Sequence, residues 1–346
     1  MRSQGYTFSE VCIEPVYNNV GSRGKVSLET NLCRGVRMDV PIIASNMDTV
    51  IGSELAQVMT DEGSIPIFHR FTTFDQKVEW LQLFPDAFIS SGIKDDDIKE
   101  VIKLVELHNL KGVCIDIAHG HDSRMKQAID ALKRAGAKVI AGNVCSRDAY
   151  KDLVDWGADA VKVGVGPGAA CTTRKMTGFG VPQFTAIYEI GKEAQKRHVP
   201  FIADGGISGP DDVVKALAAG ASSVMMGKMF AVCEESAAPK RDRQIEKWDG
   251  RSGDVWTREA KYRGQASADF QEEYYGEVKE GTIPEGEAMW APVTGNARDL
   301  IRYLSSAIRS AFNYGGARDV YELQRKCRGQ FIPVGGGYLE ESGVRS

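Results

Sequence analysis

No stretch of this chain stays apolar for the roughly 18 residues that a membrane-spanning helix needs, so no membrane partner is expected. The opening Met1-Arg2-Ser3-Gln4-Gly5-Tyr6 has no apolar core of a signal peptide, and a cytoplasmic location follows as the expectation. Long basic tracts are missing too. A net charge of −4 and a pI near 5.9 argue against a nucleic acid held through phosphate charge and favour a small-molecule substrate. The seven cysteines, at 12, 33, 114, 145, 171, 233 and 327, form an odd set without a C-x-x-C pair. A disulfide framework or a structural zinc site is therefore not expected. The default for any one of them is a buried apolar thiol, as in Gly112-Val113-Cys114-Ile115-Asp116-Ile117. Nor is any strand-like run followed by a G-x-G-x-x-G opening a helix, which leaves Rossmann-type dinucleotide binding weakly supported.

What is present is a repeat of short apolar runs with helix-like segments between them. The runs are 41–45, 64–69, 87–91, 112–117, 138–142, 159–164, 200–204 and 222–227. Stretches such as 123–134 and 211–219 carry apolar residues at helical spacing. Eight such repeats predict an α/β fold of the (β/α)8 barrel kind, with a doubly wound sheet as the rival. At 346 residues and 42% apolar content, one large core suffices, so residues 1–346 read as a single barrel domain. Residues of about 231–292, rich in charge and glycine, read as a flap inserted after strand eight. Residues 296–309 read as the closing helix, and 318–346 as a C-terminal tail. Barrel chemistry sits at the carboxyl ends of strands, where Asp48, His69, Asp116, Asn143, Cys171, Asp204 and Gly227 fall.

The most informative segment is Gly164-Val165-Gly166-Pro167-Gly168-Ala169-Ala170-Cys171-Thr172-Thr173-Arg174. It delivers one cysteine from a glycine-rich loop directly after an apolar strand. Glycines at alternate positions allow backbone angles closed to other residues and let main chain approach a ligand, so Cys171 is a candidate nucleophile.

This run resembles the active-site loop shared by IMP dehydrogenases and GMP reductases. The likeness extends from Phe8-Ser9-Glu10-Val11, through Pro41-Ile42-Ile43-Ala44-Ser45-Asn46-Met47-Asp48-Thr49, to Gly315-Gly316-Ala317. It implies a thiol that attacks C2 of a bound purine nucleotide. Dehydrogenases of this family usually carry a CBS module after strand two, and the interval after Arg70 has no room for one. They also hydrolyse the covalent intermediate with an Arg-Tyr pair of the flap, whereas this flap has no arginine between Arg263 and Arg298 and only Tyr274 and Tyr275 as tyrosines there. The resemblance therefore implies the reductase branch: reductive deamination of GMP to IMP and ammonia, with NADPH as cofactor, in a homotetramer. An IMP dehydrogenase lacking the module, a reductase of a related purine nucleotide, and a silent nucleotide-binding protein are the alternatives.

The resemblance also assigns roles. Thr173 and Glu285 would form a proton relay beside Cys171. For Glu285 the plainer reading is a solvated carboxylate among Glu272, Glu273, Glu277, Glu280 and Glu287, and for Thr173 a hydroxyl serving local backbone. Asp204 would hold the ribose hydroxyls, the plainer reading being a turn or cap residue. Gly206, Gly227, Lys228 and Tyr262 would hold the phosphate, and Ser45, Met47, Gln265, Ala266, Ser267 and Gly286 would complete the nucleotide site. Asp116, Asn143 and Arg70 would face the cofactor. Carbonyls of Gly166, Gly168 and Cys171 would hold a monovalent cation, K+. His119 and His121 form an H-x-H with no third metal ligand at a useful spacing. Three positions depart from the family: Ala169 replaces a serine, Lys228 a glycine or serine, and Gln265 a methionine. A lost hydroxyl and a gained ammonium suggest phosphate binding by another route, with a solvated Lys228 as the plainer alternative.

Overall fold

The computed structural model describes residues 4–245, 255–278, 281 and 283–335. Eight parallel strands form one sheet: β1 (Ile42–Ala44), β2 (Ile67–Phe68), β3 (Phe88–Ser91), β4 (Gly112–Asp116), β5 (Lys138–Val144), β6 (Ala160–Val163), β7 (Phe201–Asp204) and β8 (Ser223–Met226). Each of the eight apolar runs supplies one of them. The ladder runs in chain order from β2 to β8 and returns from β8 to β1, so the sheet curls into a barrel whose seam lies between β1 and β2. A doubly wound sheet would reverse its order partway, and this one does not.

Side chains alternate along each strand, and the two faces have different partners. One set packs outward under the helices. The other fills the barrel: Ile43, Ile67, Phe88, Cys114, Ile140, Ala160, Ile202 and Met225 form a separate apolar cluster. Leu32, Cys33 and Met38 join it from an antiparallel hairpin, Thr30–Cys33 with Val36–Met38, which plugs the barrel floor. Two residues further along four of these strands, the same inward row turns polar, at Ser90, Asp116, Lys162 and Asp204. A strand's period of two thus carries an apolar plug into a layer of chemistry.

The helices begin where the sequence offers caps. Asp122 accepts from Arg124 N at 2.8 Å to start Ser123–Arg134, and Asn296 from Asp299 N at 2.8 Å to start the closing helix, Ala297–Tyr314. Within the predicted flap, β9 (Lys240–Ile245), β10 (Val255–Arg263) and β11 (Ala288–Pro292) form an antiparallel sheet, and a helix, Ala268–Tyr275, lies between β10 and β11. Part of the predicted C-terminal tail is ordered structure. Val320–Cys327 is a helix, and Phe331–Pro333 pairs antiparallel with Val11–Ile13. The two strands have only three residues each and so carry no readable alternation. The tail beyond Gly335 lies outside the described residues.

Candidate active site

Val163 ends β6 and the cysteine loop follows. Gly164, at φ +154°, lies against β7, where an added Cβ would sit 2.0 Å from the Asp204 carbonyl oxygen. Arg174 braces the loop from within, donating from Nε to Val165 O at 3.1 Å and from Nη2 to Val181 O at 2.5 Å. The loop turns at Gly166 and Gly180 because any side chain there would strike the Arg174 stem, at 2.5 and 2.7 Å. These contacts set the half-buried Cys171 on the rim of the barrel mouth.

The flap binds this loop through main chain. Thr172 N donates to Glu285 O and Glu287 N to Ala170 O, both at 2.9 Å, so Cys171 and Gly286 stand opposite each other as an antiparallel bridge. Gly264 and Gly286 make the approach feasible, since a Cβ on Gly264 would lie 2.9 Å from Ala170 O. The consequence is a side-chain row from the thiol outward. Cys171 Sγ lies 3.2 Å from Thr173 Oγ1, which donates to Glu285 Oε2 at 2.8 Å. Glu285 is thus one member of a hydrogen-bonded series that joins it through Thr173 to the thiol.

Cys171 and Thr173 open onto a cavity of about 630 Å³. Of the residues assigned to nucleotide binding, Ser45, Met47, Asp204, Gly206, Gly227, Lys228, Tyr262, Gln265 and Ala266 line it, with Glu285. Tyr262 reaches in from β10 and is pressed against Gly227, where a Cβ would meet its Oη at 2.5 Å. Burial raises its phenol pKa, with Asp204 and Cys171 adding to the shift, so it stays a neutral donor. Lys228 is exposed and forms no ion pair among the described residues. Gln265 donates to Asn46 O at 3.0 Å. Ser267 and Gly286 do not line the cavity: Ser267 caps the flap helix by accepting from Phe270 N at 3.1 Å, and Gly286 is held in the bridge to Cys171.

The residues assigned to the cofactor divide. Asp116 and Asn143 belong to the polar layer at the barrel mouth: Lys162 Nζ lies 2.6 Å from Asp116 Oδ1, and Asn143 Nδ2 donates at 2.8 Å to both Gly164 O and Asp204 Oδ2. The Asn143 Oδ1 is buried and has no hydrogen-bond partner among the described residues. Arg70 instead lines a cleft of about 330 Å³ beside the ends of β3 and β4, with Lys94, His119 and Arg124. Of the cation carbonyls, Gly168 O accepts from Cys171 N at 3.0 Å.

Two strand-end residues have other employment. Asp48 accepts from Arg263 at 2.6 and 3.1 Å, and Arg263 also bonds Asp269 and Glu273, which ties the flap to the loop after β1. His69 is buried against the edge of Trp80 with its ring centroid 5.3 Å away. His119 and His121 have ring centroids 6.5 Å apart, and His121 Nε2 is bound to Asp152 at 2.7 Å. Among the described residues no group of three or more His, Cys, Asp and Glu side chains could hold a metal ion. Cys33, Cys114, Cys145, Cys171, Cys233 and Cys327 are free thiols.

Sequence reasoning passed over Asn46, Lys162 and Arg174. A lysine inside the apolar Ala160-Val161-Lys162-Val163 was a readable signal, because a charge in a strand buried on both faces must have a partner.

The family model described as IMP dehydrogenase / GMP reductase domain matches residues 5–345. A GMP reductase of Caenorhabditis elegans is 32% identical, over 94% of this chain and 91% of that protein. An inosine-5'-monophosphate dehydrogenase of Borreliella burgdorferi is 31% identical, over 98% and 96%. The human GMP reductase 2 is 32% identical, over 92% of each. With the barrel, the braced cysteine loop and the docked flap in place, these likenesses establish that the chain belongs to the IMP dehydrogenase / GMP reductase family of oxidoreductases.

Proposed function

We propose that the protein is a GMP reductase that converts GMP to IMP and ammonia through a covalent thioimidate on Cys171. The observation that carries this reading is the series Cys171–Thr173–Glu285, with steps of 3.2 and 2.8 Å. The Cys171 sulfur bonds to C2 of the purine, and the 2-amino group leaves as ammonia. A purine amine is a poor leaving group unless protonated, and Thr173 can pass a proton from Glu285 to it at the thiol. Held by Asp116, Asn143 and Arg70, NADPH would supply the hydride that replaces sulfur at C2, which would give IMP and restore the thiol. In sum, GMP, NADPH and two protons become IMP, NADP+ and ammonium.

The flap supports this direction over the dehydrogenase. Hydrolysis of the thioimidate needs a base that activates water. Arg263 is committed to Asp48, Asp269 and Glu273, while Tyr274 and Tyr275 pack with Phe71 and Phe270. Neither tyrosine lines the cavity that holds Cys171.

Within the same reading, Asp204 takes the ribose hydroxyls, and Gly206, Gly227, Lys228 and Tyr262 take the phosphate. Ser45, Met47, Gln265 and Ala266 border the base, with the backbone of Ser267 and Gly286 behind it. The Lys228 ammonium replaces what Ala169 no longer supplies: it lines the cavity without a carboxylate partner among the described residues. Asp116, Asn143 and Arg70 hold the cofactor. The unpartnered Asn143 Oδ1 suits a carboxamide N–H. K+ is held by carbonyls of Gly166, Gly168 and Cys171, and Gly168 O retains a second lone pair for it. As the resemblance implies, residues 1–346 act as one catalytic unit in a cytoplasmic homotetramer of purine salvage.

The test is stoichiometry before reduction. Incubated with GMP and NADP+ but no reduced cofactor, the enzyme should release ammonia up to one equivalent and carry a purine adduct on the Cys171 peptide by mass spectrometry. Ammonia release that persists in Cys171→Ala refutes the reading.

A further inference from the structure

Lys162 has no role in the chemistry above, yet the barrel is built around it. It is 2% exposed in the inward row of β6, and an ammonium so placed is costly unless it is paired. Its Nζ lies 2.6 Å from Asp116 Oδ1 on β4 and 2.6 Å from Asp204 Oδ2 on β7. Room for it comes from Gly142 on β5, where a Cβ would fall 2.6 Å from the Lys162 Cβ. Next to Gly142 the β5–β6 register shifts, and Asn143 lies where its amide reaches Asp204 Oδ2 at 2.8 Å. On the far side Asn46, itself hydrogen-bonded to Ser90 at 2.8 Å, donates to Asp116 Oδ2 at 3.0 Å. Three of the four carboxylate oxygens are thereby fixed. The fourth, Asp204 Oδ1, takes no hydrogen bond among the described residues, and Asp204 lines the cavity that contains Cys171.

We propose that Lys162 is a positioning residue that couples the two halves of the site, holding the nucleotide-side carboxylate of Asp204 and the cofactor-side carboxylate of Asp116 as one fixed, charged unit. The inference rests on the assignment of those two sides given above. Two carboxylates facing one buried point repel, so without the ammonium one of them takes up a proton or swings away. Either response spoils Asp204 Oδ1 as the acceptor for a ribose diol and loosens Asp116. The ammonium is secure in this role: burial works to discharge it, but Asp116 and Asp204 outweigh burial and raise its pKa. A residue serving one ligand would affect one binding constant, whereas this lysine must affect both.

IMP is the probe for the nucleotide side, being the product in the reductase reading and the substrate in its alternative, so the test stands whichever direction the enzyme runs. NADPH and NADH fluorescence titrations probe the other side. Lys162→Met should keep the wild-type circular dichroism, weaken IMP and the dinucleotide each by about 10-fold or more, and be largely rescued by Lys162→Arg. Adding Lys162→Met to Asp204→Asn should weaken IMP no further than Asp204→Asn alone. If Lys162→Met does not fold, Asp116→Asn carries the test, since it should weaken IMP through Lys162 although Asp116 lies on the cofactor side. Overturning results are wild-type affinity for either ligand in Lys162→Met, full additivity in the double variant, or an unchanged IMP affinity in Asp116→Asn. A failure of GMP turnover alongside normal IMP binding would count against the reductase reading and leave the Lys162 result to be read by itself.

Discussion

Changing Glu285 to Gln probes the proton relay with little disturbance elsewhere. The backbone of residue 285 makes the contacts that dock the flap, donating from its N to Ala266 O and accepting at its O from Thr172 N, both at 2.9 Å. Neither depends on the side chain. The amide can still meet Thr173 Oγ1 at about the present 2.8 Å, but it can no longer deliver a proton. A positioned proton donor contributes about 10²–10⁴-fold to a rate. At about 1.4 kcal/mol per factor of ten, that adds about 3–5 kcal/mol to the barrier. The same loss should follow from Thr173→Val, which removes the link between thiol and carboxylate. Because the two groups act in series, Glu285→Gln and Thr173→Val together should cost no more than the worse of them. The assay is NADPH oxidation at saturating GMP, with ammonia release followed in parallel. The expectation is kcat lowered into that range with the KM for GMP changed by no more than about 3-fold, since the ribose and phosphate contacts remain. Near-normal kcat in both single variants, or multiplied losses in the double, would refute the relay.

Further outcomes follow from the same geometry. Lys228→Ala should raise the KM for GMP about 10-fold, the worth of a charge-assisted hydrogen bond, and flatten its dependence on salt concentration; steady-state kinetics at two ionic strengths decides. Burial, with Lys77 nearby, pushes the pKa of His69 from 6.5 down to about 4. The folded state therefore disfavours the protonated ring, so the stability His69 permits is complete above pH 6.5 and drains away as pH falls toward 4. The loss is on the order of 3 kcal/mol, and urea unfolding of the wild type against His69→Phe across that range should show the variant lacking this part of the slope. Gly164→Ala, with its Cβ forced against the Asp204 carbonyl, should cost about 3 kcal/mol or more. Gly178→Ala, at φ +76° with nothing within 4 Å, should cost only about 1 kcal/mol, and denaturant midpoints separate the two.

The barrel was legible because parallel strands buried on both faces read as short continuous apolar runs. Hence β4 and β7 stand within a residue or two of their predicted bounds. The strand Val11–Ile13 and the hairpin 30–38 were not, since their partners lie hundreds of residues away or across a single turn, and only tertiary packing selects them. In the site, Cys171 announced itself through its glycines, and at Gly164 and Gly166 the φ values and close contacts require the absence of a side chain. The meeting of Thr173 with Glu285, 112 residues apart, was available only through a family likeness, because a carboxylate in an acidic flap has no local signature. Lys162 stood in plain view as a charge in an apolar strand. What no pattern could give was its pair of partners, which depends on three strands facing one another across the barrel.

The reductase reading meets its most direct test in nicotinamide absorbance followed in two mixtures with purified protein, GMP plus NADPH and IMP plus NAD+. The account predicts oxidation of NADPH with release of IMP and ammonia in the first, lost in Cys171→Ala, and no turnover in the second. Reduction of NAD+ with IMP would contradict it, because it would require a water-activating base in a flap where Arg263, Tyr274 and Tyr275 are otherwise engaged.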